Sequence, residues 1–178
     1  MMKTTVLSLL LLAALAGAQE QAISTVDPDT VLSWISEGKT FEVLDVRTRA
    51  GFVFIGHPEG AFNIPLMFWD PETGWSKNEK FIDEVKSVFP PDTMLLVICR
   101  SGGRSARATE MLMESGFTAV YNFSEGIEGP VGPNGVRNVQ GWRNRGLPMS
   151  YKSELKREYN SIKTLTAEKK SPPPPDPE

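Results

Sequence analysis

The sequence has one cysteine and one histidine in 178 residues. A lone cysteine excludes an intramolecular disulfide, so no cross-link can substitute for a hydrophobic core. Charge of one sign is also scarce. Nineteen Lys and Arg residues against 22 Asp and Glu leave a formal net charge of −3. No Lys/Arg cluster stands out, which argues against a nucleic-acid partner. The longest apolar run, Val6 to Ala16, is shorter than the roughly 20 residues a membrane-spanning helix needs. There is no internal repeat. What is present is an ordinary complement of core formers, 40% apolar residues, in a length that fits one domain with tails.

The N-terminus reads as a secretory signal. Lys3 gives a positive start, the apolar run follows, and Ala16-Gly17-Ala18 offers small residues at the two positions a signal peptidase reads. Residues 1–18 are therefore expected to be a leader, cut between Ala18 and Gln19. No cysteine follows it, so a lipid anchor is not expected, nor is stable insertion in a membrane after cleavage. The expected location is exported, with the periplasm favoured over the medium. A lone thiol in an oxidising compartment draws attention to Cys99, although most isolated cysteines are inert core residues.

Asp27-Pro28 opens a predicted helix that ends at Gly38, with Asp27 as its cap. Strands are expected over Phe41–Val46, Ala61–Ile64, Met94–Ile98 and Ala119–Asn122. Helices are expected from Phe81 to before Pro90-Pro91 and from Arg104 to Ser115. Residues 67–78, with Trp69 and Trp75, read as a loop, and so do residues 125–141, rich in Gly, Pro and Asn. Met94 to Ile98 is continuously apolar, as in a strand buried on both faces. Strands that alternate with helices imply an α/β fold, a small parallel sheet with helices on both faces. The main domain is placed at 23–150. A polar helix is expected over 151–170, with Leu155, Tyr159 and Ile162 on its packing side. An extended, disordered proline-rich tail is expected at 171–178.

The stretch that carries chemistry is Cys99-Arg100-Ser101-Gly102-Gly103-Arg104-Ser105, at the junction of a buried strand and a helix. Ligands of open α/β sheets bind beyond the carboxyl ends of the strands. Gly102 and Gly103 allow a tight turn, so that successive N–H groups can form an anion nest. The helix N-terminus and the guanidinium groups of Arg100 and Arg104 add positive potential. Such surroundings favour the thiolate form of a cysteine, the nucleophilic one.

That loop resembles the active-site loop of the rhodanese family. Leu44-Asp45-Val46-Arg47 resembles the family's Asp-Val-Arg signature. Gly56-His57-Pro58-Glu59-Gly60-Ala61-Phe62-Asn63-Ile64-Pro65 resembles its Gly-His-x-x-Gly-Ala-x-Asn-Ile-Pro segment, and Gly141-Trp142 with Gly146-Leu147-Pro148 resembles its domain end. The resemblance implies sulfur transfer without a metal or organic cofactor. Cys99 would take sulfane sulfur from thiosulfate or a related small anionic donor. The resulting persulfide, cradled by the loop from Arg100 through Ser101, Gly102 and Gly103 to Arg104, would pass its sulfur to cyanide or a thiol, a protein thiol being one option. Residues 125–139 form a longer loop than minimal members have, and residues 51–55 replace a more usual charged, aromatic stretch.

Asp45 and Arg47 are candidate donor-binding residues, with capping or mutual pairing as the competing reading. His57 is better suited to holding the turn before Ala61 than to acting as a base. Trp69, Trp75 and Trp142 fit core or loop staples better than a pocket rim. Two other functions compete. A phosphatase or arsenate reductase of related fold needs Cys, five residues and then Arg. Here Arg104 arrives one position early, and Ile98 stands where such enzymes have His. A persulfide carrier or binding module with little turnover would use the same loop.

Overall fold

The structure, a computed structural model, describes residues 23–152 and 154–170. The leader at 1–18 and the tail at 171–178 lie outside the described residues.

The elements run β1 (Thr25–Val26), α1 (Pro28–Ser36), β2 (Glu42–Asp45), α2 (Arg49–Ile55), β3 (His57–Pro58), β4 (Phe62–Asn63), β5 (Met67–Asp70), β6 (Gly74–Lys77), α3 (Phe81–Val88), β7 (Leu95–Ile98), α4 (Gly103–Glu114), β8 (Val120–Phe123), β9 (Met149–Ser150), a 3-10 turn (Leu155–Arg157) and α5 (Tyr159–Lys170). Five strands form one parallel sheet in the order β1-β8-β7-β2-β4. The expected α/β fold is therefore the observed one.

Strand β7 is the central one, and its four residues are buried. Side chains alternate across a strand, so β7 divides its apolar run between two cores. Leu95, Val97 and Cys99 face the helices α3, α4 and α5, where Phe81, Val85, Ala108, Leu112 and Ile162 pack. Leu96 and Ile98 face α1 and α2, with Val31, Trp34 and Phe52. Helices thus cover both faces, as a parallel sheet requires.

Local chemistry explains the element ends. Asp27 caps α1 by accepting from the Thr30 N–H at 2.8 Å, and hydrogen bonding from the Thr30 side chain and then its N–H holds the carboxyl below the usual range. Thr48 caps α2 by accepting from the Gly51 N–H at 3.2 Å.

Two expectations change, and one element is new. Residues 67–78 are a β-hairpin, β5–β6, rather than a loop. Its turn is held by the Asp70 carboxylate, which accepts from the Glu72 and Thr73 N–H groups at 2.9 Å each. Residues 49–55 form a helix that the sequence pattern did not announce. The expected continuous helix over 151–170 is a 3-10 turn followed by α5, because the segment bends to place Arg157 against the sheet edge. The Arg157 guanidinium lies 4.3 Å from the Phe62 ring, donates to the Gly60 carbonyl, and pairs with Glu42 at 3.6 Å.

Helix α5 docks on α3 through a buried polar contact. Glu84 accepts from the Tyr159 hydroxyl at 3.1 Å and from Asn78 Nδ2 at 2.8 Å. Burial, with the Glu84 carboxylate beside it, pushes the Tyr159 phenol well up, so it stays a donor. Of the expected packing stripe, Tyr159 and Ile162 are buried, and the Leu155 side chain lies outside the described part. Tyr159→Phe should lower stability by about 1–3 kcal/mol, because Glu84 would stay buried with one donor fewer. Equilibrium urea unfolding measures this, and an unchanged midpoint would mean that the contact is idle.

Candidate active site

Cys99 is the first residue beyond β7, at the carboxyl end of the central strand. Its side chain belongs to the α4-facing core, and the residue is 1% exposed. The chain then turns through Arg100, Ser101 and Gly102 into α4. Gly102 takes φ of +91°, which places it in the left-handed region before the helix begins. A β-carbon there would lie 2.1 Å from the Ser124 carbonyl oxygen.

The N–H groups from Arg100 through Ser105 have no acceptor among the described residues. Arg100, Ser101 and Gly103 are exposed, so these amides face solvent rather than the chain. This stretch offers consecutive donors beside a thiol, at the positive end of a 12-residue helix. The expected nest therefore has its donors unspent.

Ser105 completes the floor. Its hydroxyl lies 3.4 Å from Cys99 Sγ, as a donor, and 2.9 Å from the Gly102 carbonyl. Ser105 stands in the motif but is not among the expected site residues. The available signal was position, since the first turn of α4 brings its hydroxyl back over the strand end.

The two arginines differ. Arg100 pairs with Glu128, Nε to Oε1 at 3.0 Å, so its charge is largely answered within the chain. Arg104 makes no ion pair among the described residues. Its guanidinium lies 5.6 Å from the centre of the Trp75 ring, within cation–π range. Trp75 therefore stands beside the Arg104 end of the Cys99 loop.

The glycine-rich segment packs directly behind the loop. Ile127 N–H donates to the Cys99 carbonyl at 2.8 Å, and Glu128 N–H to the Arg100 carbonyl at 3.0 Å. Gly126 permits this approach, because a β-carbon there would lie 2.4 Å from the Ser101 nitrogen. The segment is itself latched. Glu125 accepts from the Gly141 N–H at 2.6 Å and pairs with Arg145 at 2.7 Å. Arg145, with the Gly141 N–H, holds the Glu125 carboxyl below its ordinary range. Asn144 Nδ2 reaches the carbonyls of Glu128, Arg137 and Gln140.

Asp45 and Arg47 are spent on one another. Arg47 Nη2 donates to Asp45 Oδ2 at 2.6 Å and to the Gly56 carbonyl at 2.7 Å, and Nε lies 3.0 Å from both Asp45 oxygens. Both side chains are buried. Of the two readings weighed for them, mutual pairing is the one the geometry displays. His57 stacks on Phe52 with ring centres 3.7 Å apart, and its Nδ1 lies 3.2 Å from the Phe52 carbonyl. It fixes the turn after α2. Trp142 is core, edge-on to Phe123, with its indole N–H on the Pro148 carbonyl. Trp69 and Trp75 are exposed register partners across the hairpin.

Comparison with known proteins gives the same picture. A family model described as a rhodanese-like domain matches residues 27–130. "Thiosulfate sulfurtransferase 16, chloroplastic" of Arabidopsis thaliana is 38% identical over 105 residues, spanning 59% of this chain and 76% of that protein. "Protein HIGH ARSENIC CONTENT 1, mitochondrial" of the same plant is 39% identical over 104 residues, spanning 58% of this chain and 59% of that one. The crystal structure of Rv0390 from M. tuberculosis superposes with a TM-score of 0.60 at 29% identity, covering 72% of this chain and 100% of that one. The family model spans more than half of the sequence and includes Cys99, its loop and the central strand, and the chain belongs to the rhodanese-like domain family.

Proposed function

We propose that the protein is a sulfurtransferase that carries sulfane sulfur on Cys99. The observation that carries this reading is the run of unspent N–H donors from Arg100 to Ser105, directly following Cys99 in the chain, together with the contact of the Ser105 hydroxyl with Cys99 Sγ. In the first half-reaction the Cys99 thiolate attacks the outer sulfur of thiosulfate. The sulfur–sulfur bond breaks, its electron pair leaves with sulfite, and Cys99 keeps a terminal sulfur with a negative charge. In the second, a thiolate or cyanide attacks that terminal sulfur and Cys99 leaves as thiolate. This is covalent catalysis in two steps. The loop amides stabilise charge on sulfur as oxyanion-hole donors do on oxygen. Arg104 supplies the attraction for an anionic donor. The sulfurtransferase name of the plant relative supports the same reaction class.

The arsenic-named relative raises arsenate or phosphate chemistry as a second reading. The spacing from Cys99 to Arg104 weighs against it, since the ring of donors is one residue short of wrapping a tetrahedral oxyanion. The signal-like leader supports action outside the cytoplasm, most reasonably in a periplasm.

The test is intact-mass analysis of the full chain after thiosulfate treatment. A product heavier by one sulfur atom, located at Cys99 and discharged by cyanide or a small thiol, is the expected result. A reduced, folded protein that never gains sulfur would rule the reading out.

A further inference from the structure

The β5–β6 hairpin turns one face toward α4. Met67 pairs with Lys77 and Trp69 with Trp75 in register, so these four side chains share a face. Phe68 points the other way, toward Tyr159, with ring centres 5.5 Å apart. On α4, Arg104, Arg107 and Met111 follow at helical spacing and form one stripe. The two stripes meet. Trp75 lies on Arg104 at the end next to the Cys99 loop. One turn further, Met67 and Lys77 stand with Arg107 and Met111 around a cavity of about 270 Å³.

This cavity has a mixed lining. Its floor is Leu66 and Phe81, both buried, and its sides are Met67, Ile82 and Met111. Lys77 and Arg107 give it two cations against one lining carboxylate, Glu79. Arg107 is partly answered by Glu110, outside the cavity lining, at 2.8 Å. A small dianion such as thiosulfate has no use for so much apolar wall. An acceptor thiol that carries an apolar chain would match that wall.

We propose that this cleft is the acceptor subsite, and that it takes a thiol whose apolar chain ends in a carboxylate. The proposal rests on Cys99 carrying sulfur as argued above. The thiolate end passes Arg104 and Trp75 to attack the terminal sulfur of the Cys99 persulfide. The bond from that sulfur to Cys99 Sγ breaks, Cys99 leaves as thiolate, and the acceptor departs as its own persulfide. The methylenes lie on Met67, Ile82 and Met111, and the carboxylate meets Lys77 and Arg107.

The test uses the full chain, loaded with thiosulfate and freed of excess donor. Discharge is followed by intact mass with mercaptohexanoate and, separately, with mercaptohexanol. These share a chain and differ in the terminal charge. The carboxylate thiol should half-saturate at a concentration lower by about threefold to tenfold, the range that two exposed ion pairs supply. In the double variant Lys77→Gln, Arg107→Gln the two thiols should become equal. In Met111→Phe, which narrows the cavity, both should half-saturate at higher concentration than in the parent. The ratio is read within each protein, so a general loss of activity cancels. Equal discharge of the parent by both thiols, or a preference that survives in the double variant, overturns the cleft while leaving the persulfide intact. Absence of any persulfide in the parent overturns the sulfur-carrier reading itself.

Discussion

Cys99→Ser is expected to lose sulfane-sulfur transfer by roughly 10³-fold or more, as loss of a covalent nucleophile does elsewhere. The hydroxyl that replaces the thiol is neutral at working pH and too hard to attack a sulfane sulfur, so the first half-reaction has no nucleophile. The fold should hardly notice. Cys99 lies in the α4-facing core, and its sulfur has the Ser105 hydroxyl 3.4 Å away. A serine oxygen can keep that contact, so the thermal midpoint should move by only a few degrees. Sulfite release from thiosulfate, measured beside circular dichroism, separates the two effects. Transfer retained by a folded Cys99→Ser protein would remove Cys99 from the mechanism.

Gly102→Ala should be the most damaging single methyl in the loop, and Gly103→Ala beside it should be mild. Gly102 has φ of +91°, and its new β-carbon would sit 2.1 Å from the backbone oxygen of Ser124. The left-handed conformation alone costs roughly 1–2 kcal/mol in an L-residue. Because the clash is with main chain, either β8's exit or the Cys99 loop must move. We expect a stability loss above about 3 kcal/mol and activity reduced by at least tenfold in whatever stays folded. Gly103 is the first residue of α4, and a β-carbon there meets nothing within 4 Å. Alanine at that place favours the helix, so Gly103→Ala should be neutral or slightly stabilising. Chemical denaturation and sulfite release on both variants give the comparison. Equal behaviour of the two would mean that the loop does not depend on the Gly102 turn.

The core of the site could be read from sequence because its signals are local. The apolar run before Cys99 marks a strand buried on both sides, and the paired glycines mark the turn into α4. The hairpin was hidden because Met67, Phe68 and Trp69 are all large and apolar, so no alternation of period two appears. Its turn was nonetheless spelled by Asp70 and Gly74, whose roles the structure makes plain. Helix α2 was hidden by Gly51 and by a composition of Phe, Val and Ile that resembles a strand, although Thr48 was available as a cap. The contact of Glu128 with Arg100 links residues 28 apart. No local pattern announces such a pair, and it is what separates two arginines that look equivalent in the motif. Trp75 was out of reach for the same reason, since its partner Arg104 comes from a different element.

Strand β4 closes one edge of the sheet, and it is two residues long. An open edge is a template on which another chain can lay a strand. Here the Arg157 guanidinium lies over the Phe62 ring and donates to the Gly60 carbonyl just before the strand, so a side chain from the C-terminal segment covers part of this border. The segment between β9 and α5 thereby braces this border and leaves less of it open for a foreign strand to pair with.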